Sequence, residues 1–297
     1  NGIIPPAMQG LQYIIDNAKK DGSKIIKGYN LFTVVAISND GNSTFLIGAA
    51  IMHHHYSISK NLIIKSVLEP IFYELKKLKK IPISILADSG YDDKNIYKLI
   101  NKHKFNFTIK YSNVRYFHKF DKDINKITMN MTLETLYKSI KHDANIKFYN
   151  HEGTLVHGKV KYASCFINNF NKGLNIVMLK LDNEISAVIT SNTVTDDEDA
   201  IHTIYRYNRR WNIELIFAFL KDHFKMEKYL VRSLKKMINL FLLIMIVCNF
   251  YGMIWHTKSK FKEELIQLAE PFHLPKFGLW LIVMGIKKLY QPNLSII

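Results

Sequence analysis

Cysteine and acidic residues are scarce in this chain of 297 residues. Its two cysteines, Cys165 and Cys248, exclude a disulfide framework and any zinc site built from four thiolates, and they suit a reducing cytosol. Only 25 acidic residues accompany 41 basic ones, so the formal net charge is +16. A surplus of this size predicts a polyanionic partner, either nucleic acid or an anionic membrane surface.

The opening of the chain has no basic stretch followed by an apolar segment, which predicts that there is no signal peptide. Asn1 stands in place of a methionine, which leaves open an N-terminally truncated form. A hydrophobic content of 48% is high enough for a sizeable core and excludes global disorder.

The first 111 residues combine extended, β-branched runs with helical periodicity, which predicts an α/β fold. The predicted order is β-β-β-α-β-α-β, with strands at 11–15, 29–38, 44–52, 83–87 and 105–111 and helices at 59–79 and 92–103. Turn residues between the second and third strands predict a hairpin. Helices between the later strands predict a sheet that is partly parallel and covered on both faces.

Residues 113–184 are rich in Lys, Asn and aromatic residues and predict a β-rich insertion with a short helix at 133–141. A strand at 185–190 and a long helix from about 197 to 225 follow. Residues 237–255 contain no charge and are long enough to span a membrane. Asn239 and Asn249 would be costly in lipid, which favours a buried core helix over a membrane span.

The long predicted helix carries Tyr207, Arg210, Glu214 and Lys221. On a continuous α-helix at about 100° per residue, these four side chains share one narrow stripe. One interpretation is a solvated face with an Arg210–Glu214 ion pair. The other is metal-dependent work on a phosphodiester, because Glu can hold a divalent ion and the two cations can hold phosphates. Trp211 lies near the stripe and either packs in the core or stacks on a base.

Two apolar strands each end in a carboxylate, Asp16 after 13–15 and Asp88 after 85–87. The carboxyl ends of strands are where α/β sheets place ligand groups. If the two strands lie side by side and parallel, Asp16 and Asp88 emerge together. The alternatives are a surface Asp at position 16 and a helix-capping Asp at position 88.

Together these motifs resemble the DDE transposases of bacterial and archaeal insertion sequences. The group resembled is marked by a Tyr-x2-Arg-x3-Glu-x6-Lys signature (insertion sequence family four and relatives), and Tyr207, Arg210, Glu214 and Lys221 match its spacing without a gap. Residues 86–91 resemble the family's second-Asp motif and residues 13–16 resemble its first-Asp strand. The resemblance extends over about residues 7–250.

The resemblance implies an RNase H-like mixed sheet flanked by helices, with a β-rich insertion between the second Asp and the catalytic Glu. The implied segments are 1–112 and 185–256 for the two parts of the catalytic core, 113–184 for the insertion, and 257–297 for a C-terminal helical tail.

The same resemblance implies metal-dependent DNA cleavage and strand transfer at insertion-sequence ends, with two Mg²⁺ (or Mn²⁺) ions. The implied residues are Asp16, Asp88 and Glu214 as catalytic metal ligands and Tyr207, Arg210, Trp211 and Lys221 as DNA-binding residues. The implied partners are double-stranded DNA, from element ends and target, and a second copy of the chain in the DNA complex. The expected location is the prokaryotic cytoplasm, at the nucleoid, with no membrane.

Several alternatives stay open on the sequence alone. Asn17 follows Asp16 where the family usually has a small or hydroxylic residue, so an Asp upstream of Asn1 is the rival first carboxylate, while Asp40 has the pattern of a turn residue. The competing functions are a catalytically incomplete DNA-binding remnant, a plain metal-dependent nuclease and a membrane-anchored basic protein.

Overall fold

A computed structural model of the chain forms two compact units. The first, which we call the helical unit, comprises Asn1–Leu68 and Asn212–Ile297; the second, the sheet unit, comprises Glu69–Trp211. The structure describes residues 12–16, 24–28, 30–39, 44–52, 60–78, 81–111, 117–121, 126–149, 154–167, 170–226, 229, 231, 233–269 and 278–290. Asp40 lies outside these residues.

Four strands come first, strands and helices then alternate up to residue 110, strands dominate the middle of the chain, and helices dominate its end. In chain order the elements are β1 (Gln12–Asp16), β2 (Lys24–Gly28), β3 (Asn30–Ile37), β4 (Thr44–Met52), α1 (Lys60–Lys76), β5 (Ser84–Ala87), α2 (Lys94–Lys102), β6 (Asn106–Lys110), β7 (Phe117–Asp121), β8 (Lys126–Met131), α3 (Leu133–Ser139), β9 (Ala144–Tyr149), β10 (Leu155–Ile167), β11 (Phe170–Leu181), β12 (Glu184–Thr190), α4 (Asp197–Asn208), α5 (Asn212–Phe224), α6 (Leu234–His256), α7 (Lys260–Ala269) and α8 (Gly278–Tyr290).

The sheet unit is built on one mixed sheet in the order β5-β6-β12-β11-β10-β7-β8, with β9 also paired to β10. Only β5 and β6 are parallel among the described pairs of this sheet. β12 lies between β11 and β6, and its residues 187–190 are all buried, as its continuous apolar run indicates. On β9, buried Ala144 and Ile146 alternate with exposed Asn145 and Lys147, because one face of the ribbon is covered.

Helix α4 covers that face of the sheet. Its Ala200 and Ile204 pack with Ile146, Val160 and Val177 in one buried cluster. Each Å² of apolar surface buried in this cluster contributes about 25 cal/mol to the stability of the fold. This burial holds α4 in a defined position on the sheet.

The helical unit contains two antiparallel hairpins and four helices at its carboxyl end. β1 pairs with β2, and β3 pairs with β4 with a bulge between Val34 and Val35. Its core joins α5, α6, α8 and Leu46 of β4, with buried Phe219, Phe241 and Trp280 among its members. Helices α7 and α8 approach so closely that a side chain at Gly285 would overlap the Leu265 backbone.

Helix α6 contains the charge-free run and is long and apolar enough to cross a bilayer, with 33% of its most apolar stretch buried. Asn249 lies within this stretch, and its side chain bonds both the N–H and the carbonyl of Leu46, at 2.8 Å each. One face of α6 therefore belongs to the core, as predicted. Its other face carries exposed apolar side chains, including Leu243, Ile246 and Met253, so α6 is not buried all round.

The predicted α/β class is confirmed, and the architecture is compatible with an RNase H-like fold. The predicted hairpin at β3 and β4 is also confirmed. The condition under which Asp16 and Asp88 would emerge together is not met in the described residues: β1 pairs with β2 and β5 pairs with β6, in different sheets. The division into segments at 112, 184 and 256 stays a prediction.

Candidate active site

The predicted long helix is interrupted, which corrects the calculated stripe. α4 ends at Asn208, residues Arg209–Trp211 form a 3₁₀ turn, and α5 begins at Asn212. The Arg209 backbone (φ −63°, ψ −19°) has the geometry of this tighter helix. A 3₁₀ turn advances about 120° per residue instead of about 100°, so the angles calculated for one continuous helix do not extend from Tyr207 to Lys221.

Asp88 directly follows β5, as predicted, and caps the 3₁₀ turn Ser89–Tyr91. Its Oδ1 accepts a hydrogen bond of 2.8 Å from the Ser89 N–H, which occupies one oxygen of the carboxylate. The next helix, α2, is capped by Asp93 through the Asn95 N–H. Asp92 is buried and accepts a hydrogen bond from Tyr97. The three acidic residues therefore have three different local roles, and Asp88 is the one at the strand end.

Tyr207 and Arg210 lie in the neighbourhood of Asp88 within the sheet unit. Burial raises the pKa of the Tyr207 phenol above its usual range, Arg210 opposes this shift, and the Asp88 carboxylate adds to it. Burial also raises the pKa of the Tyr91 phenol, again with a contribution from Asp88. We call Asp88, Tyr91, Tyr207 and Arg210 the Asp88 cluster. It places a carboxylate, a guanidinium and two protonated phenols in one neighbourhood.

Aromatic rings hold the guanidinium of Arg210 in this cluster. Its Cζ lies 5.9 Å from the ring centroid of Tyr207 and 5.9 Å from that of Trp211, within the range of cation–π attraction. Trp211 keeps 37% of its surface exposed, which disfavours the core-packing alternative. The Oη of Tyr207 is buried, and the guanidinium of Arg210 interacts with it.

Glu214 and Lys221 share one face of α5, in the helical unit. They lie seven residues apart, in the first and last turns of the helix. The buried residues Ile216, Phe219 and Leu220 lie on the other side of the helix. Glu214 is half-buried and stands at the amino end of α5, where the helix dipole stabilises a negative charge.

His223, near the end of the same helix, was not among the predicted site residues. Burial, together with Lys287 and Lys225, lowers the pKa of its imidazole to about 4. Its ring lies 4.8 Å from Phe219 and 5.9 Å from Trp280, between centroids. A neutral imidazole among aromatic rings is a packing residue of the core of the helical unit.

The comparison with known families adds to this geometry. A sequence model described as a transposase DDE domain matches residues 17–250, more than three quarters of the chain. The chain belongs to the DDE transposase family. No curated protein matches it. Family membership confirms the resemblance at the level of the DDE transposases, while the particular insertion-sequence family stays a prediction.

Membership in the DDE transposase family implies an enzyme of DNA transposition that acts on DNA and uses divalent metal ions. Asp88 and Glu214 both lie within the matched residues, whereas Asp16 lies one residue before them. Asp16 is the last residue of β1, and its side chain lies outside the described part. The structure therefore leaves the role of Asp16 as a prediction.

The predicted metal ligands suit a divalent ion in chemistry, since carboxylate oxygens are the ligands that Mg²⁺ prefers. Among the side chains that the structure describes, no three His, Cys, Asp or Glu residues form a metal-binding group. Asp88 thus lies with Tyr207 and Arg210 in the sheet unit, whereas Glu214 and Lys221 lie on α5 in the helical unit. Tyr91 was not among the predicted site residues, although it belongs to the second-Asp motif. It is a member of the Asp88 cluster because burial and the Asp88 carboxylate both raise its pKa.

Proposed function

We propose that this DDE transposase cleaves DNA at the ends of an insertion sequence and joins them to target DNA. The proposed catalytic residues are Asp16, Asp88 and Glu214, and the proposed insertion-sequence group is the one with the Tyr-x2-Arg-x3-Glu-x6-Lys signature. The observation that carries the proposal is the Asp88 cluster, where a strand-end carboxylate lies near two members of that signature.

Asp16, Asp88 and Glu214 would hold two Mg²⁺ (or Mn²⁺) ions, which supply Lewis-acid stabilisation of the charge on the phosphate. The protein's own side chains bind and orient the DNA. Arg210 and Lys221 are the cations that contact backbone phosphates, and a planar guanidinium can bind two phosphate oxygens at once. Trp211, which is partly exposed, is placed to stack on a base.

Tyr207 acts through its neighbours in this proposal. Its ring lies under the Arg210 guanidinium, and its Oη is buried. Because its pKa is raised, the phenol stays protonated and adds no negative charge beside Asp88. Tyr207 is therefore a positioning residue that holds Arg210 for phosphate binding. Tyr207→Phe should keep DNA affinity nearly unchanged, and Tyr207→Ala should lower it.

The proposed assembly is a homodimer on double-stranded DNA from the element ends and the target. The proposed location is the prokaryotic cytoplasm, at the nucleoid, with no membrane. The net charge of +16 supports a polyanionic partner of this kind.

A cleavage and strand-transfer assay with the element's own DNA ends and Mg²⁺ or Mn²⁺ tests the function. The intact chain should give joined products, and Asp88→Asn and Glu214→Gln should each lower their yield by about 10³-fold or more. Asp222→Asn is the matched control, because it removes an exposed carboxylate from the same helix as Glu214. It should leave the yield unchanged.

The variant Asp16→Ala tests the first carboxylate in the same assay. Loss of joining in Asp16→Ala places that carboxylate at Asp16, whereas retained joining places it elsewhere. Cleaved DNA without joined products would make the chain a plain metal-dependent nuclease. DNA binding without any metal-dependent cleavage would make it a catalytically incomplete remnant and contradict the proposal.

A further inference from the structure

A polar cavity of about 370 Å³ lies in the sheet unit beside α4. We call it the α4 pocket. It is lined by Asn106 at the start of β6, by the turn 191–193 after β12, and by four side chains of α4. Those four, Asp199, His202, Thr203 and Arg206, follow the i, i+3, i+4, i+7 spacing of one helix face.

The wall formed by the turn is held in place by hydrogen bonds. The Phe107 N–H donates to Ser191 Oγ at 2.9 Å, and the Ser191 N–H donates back to the Phe107 carbonyl at 3.0 Å. Both the backbone N–H and the side-chain amide of Asn192 donate to Thr190 Oγ1. The pocket is therefore preorganised, and binding a ligand there costs little ordering of its walls.

Two of the polar side chains on α4 are already engaged. The Oδ2 of Asp199 accepts hydrogen bonds from the backbone N–H and the hydroxyl of Thr195, at 3.0 and 2.9 Å. These bonds lower the pKa of Asp199, with smaller contributions from His202 and Arg206. The hydroxyl of Thr203 donates to the Asp199 carbonyl at 2.8 Å. Asp199 is thus a fixed part of the wall.

Arg206 has a different position. The residue is half-buried, and its guanidinium makes no hydrogen bond or salt bridge to any residue that the structure describes. It is close enough to Asp199 to lower the pKa of that carboxylate, yet it forms no ion pair with it. A guanidinium that lines a pocket, with five donors and no acceptor among the described residues, is equipped for an anionic ligand.

We infer that the α4 pocket binds a phosphate-bearing nucleotide unit. The phosphate would pair with Arg206, and the amide of Asn106 and the hydroxyl of Thr193, both exposed at the pocket, would bond the sugar or the base. The cavity is larger than one phosphate needs and falls in the range of ligand pockets, roughly 300–1,000 Å³. Its lining contains no apolar side chain, which disfavours an apolar ligand.

The pocket is separate from the Asp88 cluster. Asn106 pairs with Ser84, the first residue of β5, whereas Asp88 follows the last residue of that strand. The two sites thus belong to opposite ends of the parallel β5–β6 pair. The nucleotide unit belongs either to a DNA strand, in which case the inference rests on the proposed function, or to a free nucleotide.

Binding of a labelled DNA duplex by fluorescence anisotropy, over a range of salt concentrations, tests the first source. Arg206→Ala should lower the affinity about 3- to 10-fold and reduce the slope of log K against log salt by about 0.9, because one phosphate contact is lost. Lys98→Ala, which removes an exposed cation from α2 in the same unit, should change neither. Asn106→Ala should lower the affinity without changing the slope.

Calorimetric titration with dAMP tests the second source, with the same variants. Binding of dAMP that is lost in Arg206→Ala, with duplex affinity unchanged, identifies a free nucleotide as the ligand. Arg206→Gln keeps a polar side chain but removes the charge and the guanidinium, and its urea-unfolding midpoint should match that of the intact chain. It should therefore reproduce the binding defect without a loss of fold.

The inference is overturned when Arg206→Ala and Arg206→Gln both bind the duplex and dAMP as the intact chain does. That result leaves the proposed function standing if the intact chain still joins DNA ends. Conversely, an intact chain that joins no DNA but binds dAMP through Arg206 retains the inference and contradicts the proposed function.

Discussion

Helices α4 and α5 are neighbours in the sequence, separated by three residues, but they belong to different cores. α4 begins with an Asp196 cap and three acidic residues, and it buries Ala200, Thr203 and Ile204 in the sheet unit. α5 has one acidic residue in its first turn and buries Ile216, Phe219 and Leu220 with α6 and α8 in the helical unit. α4 buries small and medium side chains on a sheet, whereas α5 buries larger side chains among helices.

Because α4 and α5 belong to different cores, the four residues of the Tyr-Arg-Glu-Lys signature are divided between the two units. Tyr207 and Arg210 belong to the unit that contains Asp88, while Glu214 and Lys221 belong to the unit that contains Asp16. The 3₁₀ turn Arg209–Trp211 lies at the boundary. The proposed function requires Asp88 and Glu214, so removing either carboxylate should abolish DNA joining.

A double variant tests whether Asp88 and Glu214 act as one catalytic group. The loss of DNA joining in these variants is the largest effect that we expect. Asp88→Asn and Glu214→Gln should each lower the yield of joined DNA by about 10³-fold or more, and the double variant should be no worse than either single one. Residues that act as one catalytic group give such non-additive losses, because removing one ligand already inactivates the group. Losses that multiply in the double variant would indicate two independent contributions instead.

Asn249 tests how the helical unit holds its hairpin. Asn249→Leu would leave the N–H and the carbonyl of Leu46 without their partner, and Leu46 is buried. The free energy of unfolding should fall by about 2–4 kcal/mol, measured by urea denaturation. Asn239→Leu is the control, since Asn239 is exposed on the same helix, and it should change the value by less than about 0.5 kcal/mol. Equal effects of the two changes would contradict the role of Asn249.

Helix capping gives a smaller contrast between the units. Asp196 accepts a 2.8 Å hydrogen bond from the Asp199 N–H at the start of α4, whereas Ser233 makes no side-chain bond at the start of α6. Asp196→Ala should therefore lower the free energy of unfolding by about 1 kcal/mol, and Ser233→Ala should lower it by only a few tenths. A larger loss of unfolding free energy for Ser233→Ala than for Asp196→Ala, in the same urea experiment, would contradict the capping role of Asp196.

His223 should give the smallest effect, because its side chain is only half-buried. Its pKa is lowered to about 4 in the fold, so between pH 6.5 and 4 the unfolded chain binds a proton that the folded chain does not. Stability from the neutral imidazole is thus present above pH 6.5 and is lost as the pH falls towards 4. His223→Gln should flatten the decline of the urea midpoint in this window.

His157→Gln serves as the control for this pH effect, since His157 is exposed in the sheet unit. It should leave the decline as steep as in the intact chain. A decline in His223→Gln that matches the intact chain would exclude His223 as its source.

Strong local patterns predicted much of the fold. Turn residues between two β-branched runs predicted the β3–β4 hairpin, and regular apolar spacing predicted α1 and α2 within three residues at each end. β2 was not predicted, and α8 was predicted only as part of a helical tail over 257–297. β2 is only five residues long, and α8 contains Gly278 and Gly285, which lower intrinsic helix propensity. Packing of Leu279, Trp280 and Val283 in the core of the helical unit stabilises α8, and a single sequence does not display that packing.

Some features of the candidate site could likewise be predicted from the sequence, and others depend on the tertiary structure. The residue types and spacings of the signature, and the position of Asp88 at a strand end, were readable in the sequence because each is a local pattern. The proximity of Asp88 to Tyr207 depends on residues that lie 119 positions apart in the chain. The α4 pocket likewise joins Asn106 to residues 191–206, and no local periodicity indicates it.

Composition, charge and residue spacing therefore determine that this is a basic α/β chain with the motifs of a DDE transposase. The tertiary structure decides where the signature helix breaks, which core each half joins and which faces stay exposed. No proline or glycine marks the break at Arg209–Trp211, so the local sequence permits a continuous helix. The break forms where burial of Ala200 and Ile204 on the sheet is followed by burial of Ile216 and Phe219 among helices.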